Sequence, residues 1–145
     1  MNGENAEAVA THRSVRSGAM AGQGLQAVPG EDAGPSGTRF LQVQTTTDSR
    51  AEAMELATDA VGARLAACAQ VSGPIASTYW WEGELERAEE WLVLLKLPAS
   101  RFGELTEFLT ERHSYDEPEI IATPIVAGSD SYLSWIEEET SPVSR

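Results

Sequence analysis

The sequence predicts an α+β domain whose elements follow the order β-α-β-β-α-β-α. Three observations support this class. Four segments are rich in the β-branched and aromatic residues that strands favour, and three others carry apolar residues at helical spacing. Between two of the strand-like runs stands Glu82-Gly83, a pair with the glycine expected of a two-residue hairpin turn.

The first half of the domain is predicted to form a strand, a helix and a second, long strand. Residues 38–46 make the first strand. Asp48 or Ser49 can cap the helix that follows, and Ser49 with Glu52 has the spacing of a capping box. The runs 67–71 and 75–81 are both strand-like, and the Ser-Gly-Pro between them indicates a bulge or a bend within one long strand.

The second half is predicted to contain a strand, a helix, a strand and a last helix. The third strand completes the hairpin, and the helix after it ends near His113, before a loop. Residues 119–126 form the fourth strand, which Pro124 places at a sheet edge or in a bulge, because proline cannot donate to a ladder. A short helix then begins at Ser129 or Asp130.

The third strand is apolar on both faces, unlike an ordinary strand with one wet face. One face carries Trp91, Val93, Leu95 and Leu97, and the other carries Leu92 and Leu94. The element order is that of a ferredoxin-like βαββαβ sandwich with an extra C-terminal helix, whose crossover helices cover one sheet face. The other face is therefore expected to be covered by further copies of the chain, and a closed trimer is a simple solution.

Composition divides the chain of 145 residues into two parts. Residues 1–37 hold seven of the twelve glycines and no apolar period, which predicts a disordered N-terminal tail ahead of a domain at 38–145. No segment has the apolar core of a signal peptide or the roughly 20 apolar residues of a membrane span, so we expect a cytoplasmic protein. The net charge of −13 disfavours nucleic acids and anionic membranes as partners.

The sequence contains no recognisable catalytic constellation. It has no placeable arrangement of Ser or Cys with His and Asp, and no glycine-rich motif that would cradle phosphate. We therefore expect a protein that is not an enzyme and requires no cofactor. The single cysteine, Cys68, lies in an apolar run and is interpreted as a possible buried thiol.

Five motifs occur in order between residues 38 and 141. They are Leu-Ala-Ala-Cys-Ala (65–69), Ser-Thr-Tyr-Trp-Trp-Glu-Gly (77–83), Glu90 ahead of Leu-Leu-Lys (94–96), His-Ser-Tyr-Asp-Glu-Pro-Glu (113–119) and Tyr-Leu-Ser-Trp-Ile (132–136). Together they resemble the CutA divalent-cation tolerance proteins. The resemblance implies a ferredoxin-like subunit, a very stable homotrimer, a cytoplasmic location and a role in tolerance of copper or another divalent metal, without an established catalytic reaction.

The same resemblance points to a candidate metal ligand. In family members with proposed copper ligands, a Cys near the end of strand one and a His-His pair are invoked, and these positions correspond here to Gln44, Arg112 and His113. A guanidinium offers no lone pair, which leaves His113 as the candidate ligand for Cu²⁺ or another divalent cation. One imidazole is not a copper site, so three copies would have to bring theirs together.

A second candidate site is a cleft between subunits. Its expected lining is Tyr79, Trp81, Glu90, Lys96, Tyr115 and Glu119. Titratable and aromatic groups that converge in a cleft are typical of ligand sites. Lys96 is the only lysine and stands in an apolar strand, so it needs a partner, for which Glu90 and Glu119 are the candidates. An interface ion pair beside packed aromatic rings is the alternative interpretation.

Two functions are compatible with these patterns. The first is a trimeric protein of divalent-cation tolerance with copper binding, as the family resemblance implies. The second is a trimeric small-molecule-sensing signalling protein that binds its ligand in the inter-subunit cleft. The second depends on analogy with other trimeric regulators of this fold and on no motif of its own.

Overall fold

The computed structural model describes residues 37–142, so the predicted tail lies outside the described residues except for Gly37. The element order β-α-β-β-α-β-α is confirmed. The strands are β1 (Phe40–Thr47), β2 (Cys68–Trp81), β3 (Glu84–Pro98) and β4 (Ile121–Pro124). The helices are α1 (Arg50–Gly62), α2 (Phe102–Arg112) and α3 (Asp130–Thr140). The strands form one antiparallel sheet in the order β2-β3-β1-β4.

Helices α1 and α2 cover one face of this sheet and enclose the main core. Strand alternation sends Val43 of β1 and Leu95 of β3, which are register partners, to that face, and both are fully buried. They pack with Leu56 of α1 and with Leu105 and Leu109 of α2. The predicted one-sided placement of the crossover helices is therefore observed.

The opposite face, called the open face below, carries Gln42, Gln44, Leu92, Leu94 and Lys96. Helix α3 covers one end of it, where Ile136 joins Phe40 and Ala67 in a second, smaller core cluster. Leu92 and Leu94 are half-buried. The open face is thus a mixed apolar and polar surface within the part of the chain that is described.

Strands β2 and β3 extend well beyond the other two. The register pairs β1 with β3 only from Trp91 to Pro98, so residues 84–90 of β3 pair with β2 alone. We call the two-stranded extension, residues 75–90, the arm. Its turn is the expected one, because Glu82 and Gly83 have φ of +48° and +81°, the positive pair that a two-residue hairpin requires.

The predicted bulge in β2 is present, and its position determines which side chains of the arm lie on the open face and which on the opposite face. The register shifts between Ser72 and Ile75. After the shift, Ile75 is the partner of Glu90, so the side chains of residues 75, 77, 79 and 81 continue the open face. Trp80 and Leu85, a cross-strand pair at the tip, lie on the other face and are 70% and 57% exposed.

The fourth strand is shorter than predicted. It spans Ile121–Pro124 instead of residues 119–126, and it lies at the sheet edge as Pro124 indicated. The ladder ends at Pro124, after which Ile125 still donates one backbone hydrogen bond to Phe40. At the other end, Glu119 is engaged through its side chain and lies outside the strand.

Replacing Gly73 by alanine is expected to destabilise the fold by about 1–3 kcal/mol, because it overfills a close contact in the bulge. A Cβ at this position would lie 2.6 Å from Trp91 Cδ1 and 3.1 Å from Trp91 Cα. Urea unfolding measures the loss. The matched control is Gly62→Ala, where nothing lies within 4 Å of the new Cβ. Equal stability of the Gly73→Ala and native chains would show that the contact carries no cost.

Candidate functional site

The segment from His113 to Glu119, called the crossing segment, leads from the end of α2 to β4 and carries three of the predicted site residues. Tyr115 and Glu119 bond with Glu90 of β3 and Gln44 of β1. Both partners have the strand parity of the open face. The segment therefore brings the polar side chains of the candidate site from the helix side of the sheet to the open face.

His113 holds the start of this segment through both ring nitrogens. Its Nε2 lies 2.9 Å from the carbonyl oxygen of Thr46, and its Nδ1 accepts the backbone N–H of Tyr115 at 3.0 Å. A carbonyl oxygen can only accept, so Nε2 must carry the proton and Nδ1 the lone pair. The ring is thus neutral in this arrangement, and its side chain is 0% exposed.

Glu52 forms the second tether of the same segment. The first half of the predicted capping box is present, since Ser49 Oγ accepts the backbone N–H of Glu52 at 3.1 Å. The Glu52 carboxylate does not reach back to Ser49. It accepts the N–H of Ser114 at 2.9 Å and the Ser114 hydroxyl at 2.8 Å. We call His113 and Ser114, with their partners Thr46 and Glu52, the clasp.

Carboxylates surround the clasp. Glu52 Oε1 lies 3.8 Å from His113 Nδ1, and Asp48 is close enough to feel the charges of Glu52 and Glu90. Burial, followed by the negative charge of Glu52, raises the pKa of Asp48 above its ordinary value of 3.8. The neighbourhood is therefore strongly acidic, as the net charge of the chain suggested.

Two members of the predicted cleft, Glu90 and Tyr115, bond to each other. The Tyr115 hydroxyl donates to Glu90 Oε2 at 2.9 Å, and Glu90 is 1% exposed. The Tyr115 ring also packs on the His113 ring, with 4.8 Å between their centroids. A buried carboxylate of this kind depends on its donors, since an unsatisfied charge in the interior is costly.

Lys96 has a different partner from the two that the sequence suggested. Its Nζ donates to Gln70 Oε1 at 2.8 Å across the β2–β3 pair. Glu90 lies six residues away along β3, about 20 Å at the rise of a strand, which is beyond the reach of the side chain. Glu119 instead accepts from Gln44 Nε2 at 3.3 Å. Within one chain Lys96 therefore bonds to an amide, and its ion pair with a glutamate across a subunit interface stays a prediction.

The aromatic residues of the arm lie on the open-face side. Tyr79 is half-buried and opposite Glu86, and Trp81 is buried at the end of β2. Neither bonds to Lys96 or Glu119 among the contacts described. The six residues of the predicted cleft thus divide, within one chain, between the arm with the crossing segment and the middle of the open face.

The other two candidate positions, Cys68 and Arg112, lie in different parts of the fold. Cys68 is half-buried, with Sγ 3.6 Å from the Tyr132 hydroxyl of α3, and this bond is the main cause that raises the pKa of Tyr132. The predicted buried thiol is thus only partly buried. Arg112 lies over the Phe108 ring at 3.6 Å and lines a shallow groove between α1 and α2. It does not accompany His113 into the clasp.

No metal centre is assembled by the described part of the chain. Within residues 37–142 no three side chains of His, Cys, Asp or Glu form a group that could hold a metal ion. His113 as a ligand therefore stays a prediction, and its two nitrogens are both engaged. The residue missed from the sequence was Glu52: the capping-box spacing assigned it to the start of α1, whereas its carboxylate bonds to Ser114.

These observations define a small α+β protein with a one-sheet core, a projecting arm and a buried polar clasp. Residues 41–139 match the family model of the CutA1 divalent ion tolerance protein. The chain therefore belongs to the CutA1 divalent ion tolerance family.

Relatives and solved structures agree with this assignment. The chain is 40% identical over 100 residues to a chloroplastic CutA protein of Arabidopsis thaliana, covering 69% of this chain and 55% of the relative. It is 37% identical to a divalent-cation tolerance protein CutA of Escherichia coli, covering 70% and 90%. The chain thus spans about half the length of the plant relative.

A solved CutA1 structure from Thermus thermophilus superposes with a TM-score of 0.69 at 36% identity, covering 70% of this chain and 99% of that one. The CutA1 structure of Oryza sativa gives 0.70 at 34% identity, covering 73% and 97%. The described architecture is therefore the one that these CutA1 structures have.

Replacing Tyr115 by phenylalanine is expected to cost about 1–3 kcal/mol of stability, because a buried acceptor loses a donor. Urea unfolding measures the difference. Tyr132→Phe is the matched control, since it removes a hydroxyl from a residue that is exposed on α3 and should stay within about 0.5 kcal/mol of the native chain. If both variants lose the same small amount, the Tyr115–Glu90 bond does not stabilise the site.

Asp48→Asn is expected to stabilise the fold at neutral pH. The pKa of Asp48 is raised in the folded chain, so the folded state binds this proton more tightly than the unfolded chain does. The stability that the proton confers is present below the unfolded pKa and is lost as the pH rises through the folded pKa. The advantage of Asn should therefore disappear below pH 3.8. Urea unfolding across pH tests this, with Asp59→Asn on α1 as the control of equal charge change.

Proposed function

We propose that this protein acts in divalent-cation tolerance as a homotrimer, with copper or another divalent cation bound between copies. Its subunit is taken to be a ferredoxin-like βαββαβ sandwich with an added helix, which the strand order β2-β3-β1-β4 and the one-sided helices support. The observation that carries the proposal is the arm, a two-stranded extension that pairs with no third strand of the described chain and exposes Trp80 and Leu85 at its tip.

The arm supports self-assembly for two reasons. A two-stranded ribbon is marginally stable in water unless a further strand or a helix packs on it, and residues 75–90 pair with no third strand of the described chain. The tip also exposes Trp80 and Leu85, a cross-strand pair with large apolar area. Burial of such an arm against identical neighbours, closed by a threefold axis, removes both costs.

The distribution of candidate ligands supports a cation site that needs more than one copy. Residues 37–142 of one chain assemble no group of three ligating side chains, and the available imidazole there is His113. Copper prefers imidazole and soft ligands in number. A trimer would multiply each ligand by three and bring the acidic surroundings of the clasp close to neighbouring chains.

The cellular location and the alternative function as a small-molecule sensor both stay proposals. None of the helices within residues 37–142 combines the length and apolar character that a membrane crossing requires. A cytoplasmic location is still a prediction, since relatives include proteins named chloroplastic and periplasmic. The alternative function, a small-molecule sensor with its site in the cleft, has less support, because Lys96 bonds to Gln70 and not to another cleft residue.

Light scattering combined with copper calorimetry tests the proposal. The purified chain is expected to have three times the mass of 15.6 kDa and to bind Cu²⁺ at a stoichiometry tied to the trimer. The double variant Trp80→Ser/Leu85→Ser should shift the mass towards the monomer and weaken copper binding with it. Met54→Ser, at an exposed apolar position on α1, is the control and should do neither.

A monomeric native chain would contradict the assembly. A trimer whose copper binding is no stronger than that of scattered surface carboxylates would contradict the cation role and leave the assembly standing. The two parts of the proposal therefore fail separately.

A further inference from the structure

We infer that His113 is the closing element of the clasp, and that a copper ion can bind its ring only by releasing the Tyr115 amide and opening the crossing segment. The statement about copper rests on the proposed cation role. The statement that His113 closes the clasp rests on hydrogen bonds within one chain. The observation behind the inference is a buried ring whose Nε2 is hydrogen-bonded to the Thr46 carbonyl and whose Nδ1 accepts the Tyr115 N–H.

Copper can approach the ring at either nitrogen, and both routes break the same hydrogen bond. At Nδ1 the metal would take the lone pair that now accepts the Tyr115 N–H. At Nε2 the metal would displace the proton that is donated to Thr46. That proton would have to move to Nδ1, where it would face the Tyr115 N–H as a second donor. Either route therefore detaches Tyr115 from the ring.

Access imposes the same requirement. The His113 side chain is 0% exposed, so no metal reaches it while the clasp is closed. The groups that lie near the ring are the Glu52 carboxylate on α1, Asp48 after β1 and the Tyr115 ring, whose hydroxyl in turn reaches Glu90 on β3. These carboxylates would attract a cation to the opened segment. While the clasp is closed, Tyr115 stays hydrogen-bonded to Glu90. When the clasp opens, the His113 imidazole becomes accessible next to these carboxylates.

The chain offers matched variants for the two halves of the ring. His113→Asn keeps a side-chain oxygen able to accept the N–H two residues on, as in an Asx turn, but loses the donor to Thr46. His113→Gln places its amide further out, where it can donate to Thr46, but it leaves the Tyr115 N–H without this acceptor. The second imidazole of the chain, His12, is removed throughout by His12→Gln.

Hydrogen–deuterium exchange of residues 113–119 is the measurement. Without metal, His113→Gln should speed exchange of the Tyr115 amide about tenfold, the equivalent of one hydrogen bond of average strength, and His113→Asn should speed it less. Addition of Cu²⁺ to the chain that retains His113 should speed exchange to a similar extent. It should change neither variant further, and Mg²⁺, which prefers oxygen ligands, should have no effect on any chain.

The outcomes separate the clasp from the cation role. Unchanged exchange in metal-free His113→Gln overturns the clasp. Copper binding that depends on His113 while exchange of residues 113–119 stays slow overturns the opening step, whatever the variants do. Copper binding that does not depend on His113, together with fast exchange in His113→Gln, supports the clasp and removes His113 from the copper role proposed above.

Discussion

The neutral ring of His113 is the contact on which the site depends. It joins the end of β1, through Thr46, to the first turn after α2, through Tyr115. Because the ring is buried, a change at either nitrogen is felt by the backbone on both sides. Tyr115 then reaches Glu90 on β3, so one imidazole fixes the relation between the helix layer, the sheet end and the base of the arm.

The arm and the clasp meet at Glu90, the last residue of the β3 extension before the four-stranded sheet begins. Glu90 is the register partner of Ile75, the first residue after the bulge, and it is held by Tyr115 from the crossing segment. A neighbouring copy that packs on the arm would therefore lie close to the clasp. This connection gives a physical route by which assembly and access to His113 can influence each other.

Local patterns predicted most of the fold, and tertiary contacts decided most of the site. The cap at Ser49, the turn at Glu82-Gly83 and the bulge before Ile75 each depend on neighbouring residues, and each was confirmed. Strand β4 was predicted too long, because sequence pattern does not reveal where a ladder partner ends. The bond between Lys96 and Gln70 was not predicted, because the β2–β3 register that brings the two together cannot be read from either segment alone. A glutamate partner of Lys96 across a subunit boundary stays a prediction.

The tautomer of the His113 ring in the metal-free protein decides whether its two nitrogens are paired with Thr46 and Tyr115. Long-range proton–nitrogen NMR of histidine-labelled protein distinguishes the two ring nitrogens, and His113→Gln assigns the signals, since the chain has two histidines. We expect the proton on Nε2 and a lone pair on Nδ1. A proton on Nδ1, or a ring that exchanges rapidly between tautomers, would contradict it.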